Sequence, residues 1–181
     1  MALKATMYRV ELQVSDMDRN YYALHALSLA QHPSETDQRL MARLLTFALF
    51  ADERLEFGRG LSTDEDPDLW RRDYTGGIEQ WIDLGQPDES DIRKACGRAR
   101  EVVIVTYSGN GAEIWWNKNA SALARLDNLR VIDLDVAAVD AATRLLQRNT
   151  RLTAMIQDGD LQLLSDSDAV SITPRSRTQA A

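Results

Sequence analysis

The sequence is poor in the residues that mark secreted, zinc-binding or membrane-spanning proteins. Cys96 is the single cysteine among 181 residues, which excludes an internal disulfide and a zinc site built from cysteines. The only histidines, His25 and His32, lack the spacing of metal ligands. No run approaches the roughly 20 apolar residues of a membrane span, and the N-terminal segment has no apolar core of signal-peptide type. We therefore expect a cytoplasmic protein with no membrane segment.

Basic residues are also in deficit. The chain carries 21 Lys and Arg against 28 Asp and Glu, a formal net charge of −7. A broad nucleic-acid-coating surface needs clustered basic side chains, so this balance argues against one. The net charge is compatible with nucleic acid that binds at a local site with a basic rim. We expect a monomer.

Length and hydrophobic content predict one folded domain. The 181 residues are 44% hydrophobic, enough for a sizeable core. Helical and strand patterns both occur, so we predict an α/β fold in which helices flank a mixed β-sheet. We expect this domain to span 1–181, with residues 174–181 as a frayed tail.

The first third of the chain predicts two strands and a helix. Residues 5–14 alternate apolar and polar side chains, as a half-buried strand does. The segment 21–31 fits either a second strand or a short helix, and we favour the strand. Ser34 stands where an N-cap belongs, and the apolar face that follows predicts a helix to about Leu55.

The remainder alternates helices and strands. Residues 101–107 contain a short β-branched run typical of a buried strand, which should run parallel to a neighbour because a helix precedes it. Asp158-Gly159 is a strong hairpin signal. The other predicted elements are a hairpin over 68–84, helices over 88–100, 113–126 and 136–148, and strands over 129–134, 152–156, 160–164 and 169–173.

The hairpin at 68–84 carries the main functional signal. If Asp68 pairs with Asp83, the same register pairs two tryptophans and one pair of opposite charges: Trp70 with Trp81 and Arg72 with Glu79. Aromatic and opposite-charge pairs stabilise an antiparallel ladder. Two opposed carboxylates repel unless a cation lies between them or one is protonated. The alternative is that both acids end their strands facing water or capping backbone amides.

This stretch resembles the PD-(D/E)XK nuclease superfamily. Pro67-Asp68 matches the first acid of the motif and Asp83 the second, while Gly85 stands where the motif lysine belongs. The resemblance implies a restriction-endonuclease-like core that binds Mg²⁺ or Mn²⁺ through carboxylates, with no organic cofactor. Such ions prefer oxygen ligands and activate a bound water.

The whole chain is similar to the YaeQ family, which itself resembles the PD-(D/E)XK folds and has no settled activity. Five phrases carry this resemblance: HPSET at 32–36, ADERLEF at 51–57, WIDLGQPDE at 81–89, IRKAC at 92–96 and IWW at 114–116. The resemblance extends from near the first residue of the chain to the last. Membership therefore supports the fold more strongly than it supports the chemistry.

The superfamily resemblance also implies a third acid and a replacement for the missing lysine. Glu53 is the candidate acid by resemblance, although helical geometry places Asp52 nearer the apolar face. Lys94 or Arg93, on the following helix, would replace the lysine. The alternative for both cations is a solvated helix surface.

Two hypotheses follow. The first is a metal-dependent phosphodiesterase or nuclease with a variant motif. The second is a non-catalytic binding or regulatory protein on a degenerate nuclease fold. A separate pattern, Gly109-x-Gly111 with Asp133 further on, resembles part of a dinucleotide fingerprint, but Ile114 replaces its third glycine and a plain strand-to-helix turn is favoured.

Overall fold

The structure, a computed structural model, describes residues 4–59 and 65–178. The chain divides into two compact units, each assembled from two stretches of sequence. The first unit contains Met1–Ala51 and Asp135–Pro174, and the second contains Asp52–Leu134 and Arg175–Ala181. The expectation of a single domain over 1–181 stays a prediction.

A five-stranded mixed sheet forms the first unit. Its strands are β1 (Thr6–Asp16), β2 (Tyr21–Gln31), β8 (Asn149–Gln157), β9 (Asp160–Leu164) and β10 (Ala169–Ile172). They lie in the order β10-β9-β8-β1-β2, with β1 parallel to β8 and every other pair antiparallel. The favoured strand at 21–31 and the Asp158-Gly159 hairpin are thus confirmed.

Alternation in β1 determines which face of this sheet is buried. Val10, Leu12 and Val14 are at most 1% exposed, whereas the side chains between them lie on the outer face. On the inner side, the Phe47 ring of α1 (Asp37–Leu49) makes an edge contact with the His25 ring of β2, and the two ring centroids are 5.0 Å apart. The helix α4 (Val136–Thr143) belongs to the same unit and lies next to α1.

The helix α1 is shorter than predicted at both ends. Thr36, not Ser34, is its N-cap, because the Thr36 hydroxyl accepts the Arg39 N–H at 3.1 Å. The helix ends at Leu49 rather than near Leu55. The carboxylate of Asp52 accepts the backbone N–H of Arg54 at 2.9 Å, so the chain turns there and enters a strand.

A six-stranded mixed sheet forms the second unit. Its strands are β3 (Leu55–Phe57), β4 (Leu69–Arg72), β5 (Ile78–Leu84), β6 (Ala99–Thr106), β7 (Leu129–Asp133) and β11 (Arg175–Ser176). The order is β11-β7-β6-β5-β4-β3, and β5, β6 and β7 are parallel. The parallel orientation predicted for the buried β6 is confirmed.

Two helices cover one face of this second sheet. They are α2 (Glu89–Arg98) and α3 (Asn110–Leu123). Their apolar side chains join those of the strands in one buried cluster: Trp81, Ile92, Ala95, Ala99, Val102, Ile104, Trp115, Leu123, Leu129 and Val131. Burial of this cluster removes apolar surface from water, which is the main stabilising term for the face.

Three further predictions need correction. The described chain has two mixed sheets where one was expected. The helix α4 ends at Thr143 instead of about Arg148, because the chain enters β8 at Asn149. The predicted frayed tail is wrong for Arg175–Ser176, which pair with β7 as β11, while residues 179–181 lie outside the described part.

The α/β class with four helices is what the described residues show. None of these helices combines the length and apolar character that crossing a bilayer requires. The cytoplasmic location stays a prediction.

Candidate functional site

The predicted register of the β4–β5 hairpin is confirmed at the pair of Trp70 and Trp81. Leu69 lies opposite Ile82 and Trp70 opposite Trp81. Continued one residue beyond the start of β4, this register brings Asp68 to Asp83. The two indole rings meet edge to face, with centroids 6.3 Å apart. An aromatic pair of this geometry stabilises its ladder and fixes which residues face each other. Both carboxylates therefore lie at the same open end of the hairpin.

Each of these two acids accepts hydrogen bonds from the hairpin itself. Leu84 N donates to Asp68 Oδ2 at 2.8 Å, and Asp68 N donates to Asp83 Oδ1 at 3.2 Å. The indole Nε1 of Trp81 donates to Asp83 Oδ2 at 2.8 Å. Both side chains are partly buried. The acids thus connect the two strand ends through hydrogen bonds, as the alternative interpretation of backbone capping predicts. The same bonds hold both carboxylates in defined positions.

The predicted ladder pair of Arg72 and Glu79 is wrong. A bulge between Arg71 and Arg72 shifts the register, and Arg72 lies opposite Ile78 instead. Glu79 accepts hydrogen bonds from Arg54 Nη2 at 3.1 Å and Arg71 Nε at 2.9 Å. These two guanidinium groups lower the pKa of the Glu79 carboxyl below its usual value.

Glu53 does not lie on a helix. It is exposed in the turn that follows α1, so the helical geometry used to compare it with Asp52 does not apply. Asp52 itself lies within 3.8 Å of Arg71 Nη1. Within 4–59 and 65–178, no three His, Cys, Asp or Glu side chains are grouped to hold a metal ion. A role for Glu53 as the third ligand stays a prediction.

The two candidate cations on α2 are exposed and engage acids of their own helix. Arg93 Nε donates to Glu89 Oε1 at 2.8 Å, and Lys94 Nζ lies 3.8 Å from Asp91 Oδ1. Such pairs, three or four residues apart, are typical of a solvated helix face. Their replacement of the missing lysine stays a prediction.

The backbone conformation at Gly85 disfavours a lysine at the motif position. Its φ is +93°, a conformation that residues with a side chain rarely adopt, and its N–H donates to the carbonyl of Val105 at 2.8 Å. A lysine here would strain the strand end that carries Asp83.

Two arginines lie over the tryptophan pair of the hairpin: Arg72, and Arg98, which the sequence analysis did not single out. The guanidinium carbon of Arg98 is 5.0 Å from the centre of the Trp81 ring, and that of Arg72 is 4.4 Å from the centre of the Trp70 ring. Both arginines are exposed at the surface, and each is held over an aromatic face. We call this set, Arg72, Trp70, Trp81 and Arg98, the arginine–tryptophan row. The Trp-x-Arg spacing in β4 was its only signal in the sequence.

A second polar cluster lies where the parallel strands β6 and β7 end. Thr106 Oγ1 donates to Asp133 Oδ1 at 2.5 Å, and Arg177 Nη2 lies 3.0 Å from the same oxygen. Arg177 Nη2 also lies 2.8 Å from Glu113 Oε1. Burial opposes the charge on Arg177, but its bonds to Glu113 and Asp133 prevail and raise its pKa.

This cluster accounts for the partial dinucleotide pattern. The Arg177 side chain lies against Asp133 at the end of β7. Asp133 is 4% exposed and is therefore not accessible to a ligand. Gly109 takes a φ of +60° where the chain enters α3, and Ile114 is 63% exposed. The plain strand-to-helix turn is the interpretation that fits these contacts.

Comparison with known proteins agrees with this architecture. The sequence profile of one family, described as YaeQ protein, matches residues 1–174. The chain belongs to the YaeQ family. Uncharacterized protein YaeQ of Escherichia coli K12 is 44% identical over 172 residues, which cover 95% of each chain. Its counterpart in Salmonella typhi is 45% identical over 163 residues, or 90% of each chain.

Two crystal structures of YaeQ proteins share the fold. The protein from Xanthomonas axonopodis pv. citri is 61% identical, with a TM-score of 0.94 over 97% of this chain and 99% of its own. The protein from Pseudomonas syringae is 28% identical, with a TM-score of 0.91 over 97% of each chain. These similarities show the family and the fold, so the activity of this YaeQ-family chain has to be argued from its site.

Proposed function

We propose that this YaeQ-family protein is a divalent-metal-dependent phosphodiesterase whose site is centred on Asp68 and Asp83. The observation that carries the proposal is the set of hydrogen bonds that brings these two carboxylates together at one end of the β4–β5 hairpin. Opposed carboxylates are costly unless a cation lies between them. Their hydrogen bonds to the hairpin hold both groups in place before any ion arrives.

The donor set fits Mg²⁺ or Mn²⁺ better than a softer metal. Mg²⁺ commonly binds through one or two carboxylates and completes its coordination with waters and substrate phosphates. Asp68 and Asp83 supply the two carboxylates, so Glu53 is not needed for such a site. A bound ion would lower the pKa of a water and stabilise charge on a phosphoryl group.

The arginine–tryptophan row supports a phosphate-containing substrate. Arg98 lies over the same indole, Trp81, whose Nε1 binds Asp83. A guanidinium group binds phosphate oxygens in a bidentate manner. An arginine already held against an aromatic face loses less side-chain conformational entropy when it binds a phosphate. Arg98 is therefore a better candidate than Arg93 or Lys94 for steadying the phosphate. Nucleic acid is the substrate class that this local basic rim fits in a chain of net charge −7.

The restriction-endonuclease-like core is part of the same proposal. Asp83 lies in β5 of the six-stranded sheet and Asp68 directly precedes the neighbouring strand β4, with helices on the face that bears Trp81. The absent lysine at Gly85 makes the motif a variant, in which an arginine would supply the positive charge.

One observation favours the non-catalytic alternative. Asp83 accepts two hydrogen bonds from its own hairpin, which satisfies both of its carboxylate oxygens. If these bonds are the whole role of the acids, the protein is a binding or regulatory protein, and the arginine–tryptophan row would be its binding surface.

Calorimetric titration with Mn²⁺ and Mg²⁺, followed by cleavage assays on single- and double-stranded DNA and RNA, separates the two functions. We expect the wild type to bind Mn²⁺ and to cleave at least one substrate, and Asp68→Asn to lose both. The control is Asp91→Asn, which changes an exposed acid on α2 and should keep both properties.

Thermal melting provides an independent check on folding and on metal binding. An ion that binds only the folded wild type stabilises it by RT ln(1 + [L]/Kd), about 2.7 kcal/mol at about 100 times Kd. Metal binding without cleavage would favour the non-catalytic alternative. No metal binding by a folded wild type would reject the site.

A further inference from the structure

We propose that two copies of this chain associate through the edge strand β2, joining their five-stranded sheets into one sheet of ten strands with Ala26 on the two-fold axis. This interaction surface lies in the first unit and does not depend on the phosphodiesterase proposal. It replaces the expectation of a monomer.

The first observation is the position and regularity of β2. It is the last strand of its sheet, and it pairs with β1 along all eleven residues without a register shift. An edge strand of this length presents a row of backbone donors and acceptors on its outer side. A regular strand can extend the ladder to another chain, whereas a bulged or short one cannot.

The second observation is that β2 lacks the residues that commonly block pairing at an edge strand. Its sequence, YYALHALSLAQ, contains no Lys, Arg, Asp, Glu or Pro. Natural edge strands are commonly protected by such residues or by bulges. In a chain of net charge −7, a strand without acids is also a place where two copies approach with little repulsion.

The third observation is the arrangement of side chains on the outer face of β2. Large residues occupy its first half, where Tyr22 is 56% and Leu24 is 64% exposed. Small exposed residues occupy its second half, at Ala26, Ser28 and Ala30. An antiparallel partner strand centred on Ala26 therefore places Leu24 opposite Ser28 of the second copy and Tyr22 opposite Ala30.

This size complementarity identifies the occupant as a second copy. Antiparallel pairing of identical strands is isologous, so each pair of a large and a small residue occurs twice, once on each side of the two-fold axis. A parallel arrangement would place large residues beside large ones. The side chain of Arg43 already binds the carbonyl of Ala30 at 2.8 Å, so the shared backbone ladder is expected over residues 23–29.

The test uses charges at the two-fold axis. Ala26→Lys places two like charges directly opposite each other, as does Ala26→Glu, so each variant alone should be monomeric. Mixing the two variants places Lys opposite Glu and should restore the dimer. The matched control is Ser171→Lys, an exposed position on β10 at the other end of the same sheet, which should remain dimeric.

Sedimentation equilibrium over a concentration series measures the mass of each sample, and thermal melting shows that each variant is folded. We expect the wild type and Ser171→Lys to have twice the mass of one chain. A wild type that stays monomeric throughout the series overturns the proposal and leaves the β2 edge for a strand of a different protein. Variants that still dimerise, or a mixture that stays monomeric, overturn the register centred on Ala26.

Discussion

At the scale of single residues, Asp83 stabilises the hairpin because its two carboxylate oxygens accept hydrogen bonds from Asp68 and Trp81. An asparagine at this position keeps one acceptor but turns an NH₂ group towards the other donor. We therefore expect Asp83→Asn to lose about 1–3 kcal/mol of unfolding free energy in the presence of EDTA, because a partly buried N–H group is left unsatisfied. Urea denaturation of both proteins measures this loss.

Asp88→Asn is the control for that prediction. Asp88 is the N-cap of α2, but its side chain makes no capping hydrogen bond, so a change within about 0.5 kcal/mol is expected. Equal stability of Asp83→Asn and wild type in EDTA would contradict a structural role for Asp83 and leave mutual repulsion of the acids as its main effect.

Glu79 gives the protein an acid-sensitive contribution to stability. Its hydrogen bonds with Arg54 and Arg71 lower the carboxyl pKa in the folded state. Stability from this group is therefore fully present above the unfolded value of about 4.3 and is lost as the pH falls through the lower, folded pKa.

Urea midpoints measured across this range test the contribution of Glu79. We expect wild type to be more stable than Glu79→Gln near neutral pH and the difference to shrink below about pH 4. Glu56→Gln, at an exposed position of β3, should follow the wild-type curve. A difference between wild type and Glu79→Gln that is constant with pH would show that the two arginines do not act on the Glu79 charge.

Residue contacts could be predicted from the sequence where pairing is local and chemically distinct. The Trp70–Trp81 pair is an example, because one short turn connects two strands with matching aromatic positions. The bulge that moves Arg72 away from Glu79 leaves no such signal, since it depends on how the backbone turns at residues 73–77. The contact of Arg98 with Trp81 requires the packing of α2 on the sheet and could not be predicted either.

At the scale of elements, α1 owes its stability to its buried face. Leu44 in the middle of this helix is fully buried. Leu44→Ala removes the isopropyl group of the side chain and leaves a cavity, so we expect a loss of about 2–5 kcal/mol. Ile114→Ala is the matched control, because Ile114 is 63% exposed on α3 and should change stability by less than about 0.5 kcal/mol. Equal losses at the two sites, measured by urea denaturation, would contradict the assigned helix face.

The end of α1 shows why helix boundaries are hard to predict from an apolar pattern. Ala51 and Leu55 are both buried, and their spacing continues the helical period beyond Leu49. Leu55 is buried because it lies in β3, where it pairs opposite Arg71 of β4. Burial at helical spacing can thus arise from a turn and a new strand, and only the Asp52 turn distinguishes the two cases.

At the scale of the whole molecule, Arg177 joins the end of the chain to the second sheet. Its side chain is 8% exposed beside Asp133. Removing one partner of a buried ion pair leaves an uncompensated charge, so we expect Arg177→Met to cost about 3 kcal/mol. Arg175→Met is the control, because the Arg175 side chain is 69% exposed and should have little effect. Chemical denaturation measures both.

A double variant shows whether the effect comes from the unpaired acid. Asp133→Asn combined with Arg177→Met should recover part of the lost stability. If Arg177→Met melts like the wild type, the tail does not stabilise the sheet and the original expectation of a frayed terminus would be correct for these residues.

The division into two sheets could not be predicted because it depends on distant pairings. Strand patterns identified β1 and β8 separately, but nothing in either pattern shows that residue 9 lies beside residue 149. The pairing of β11 with β7 spans more than forty residues in the same way. Local propensity determines elements, whereas partner choice depends on the packing of the whole chain.

The parallel pairing of β1 with β8 has a consequence for synthesis on the ribosome. The β1–β2 hairpin emerges early, yet its neighbour β8 follows only after about 120 further residues. At about 5–20 residues per second, the nascent hairpin stays for on the order of ten seconds with the edge of β1 unpaired and with α4 not yet packed on its apolar face. Meanwhile most of the second sheet can form. We expect nascent chains stalled before residue 149 to bind a chaperone, and longer ones to be released.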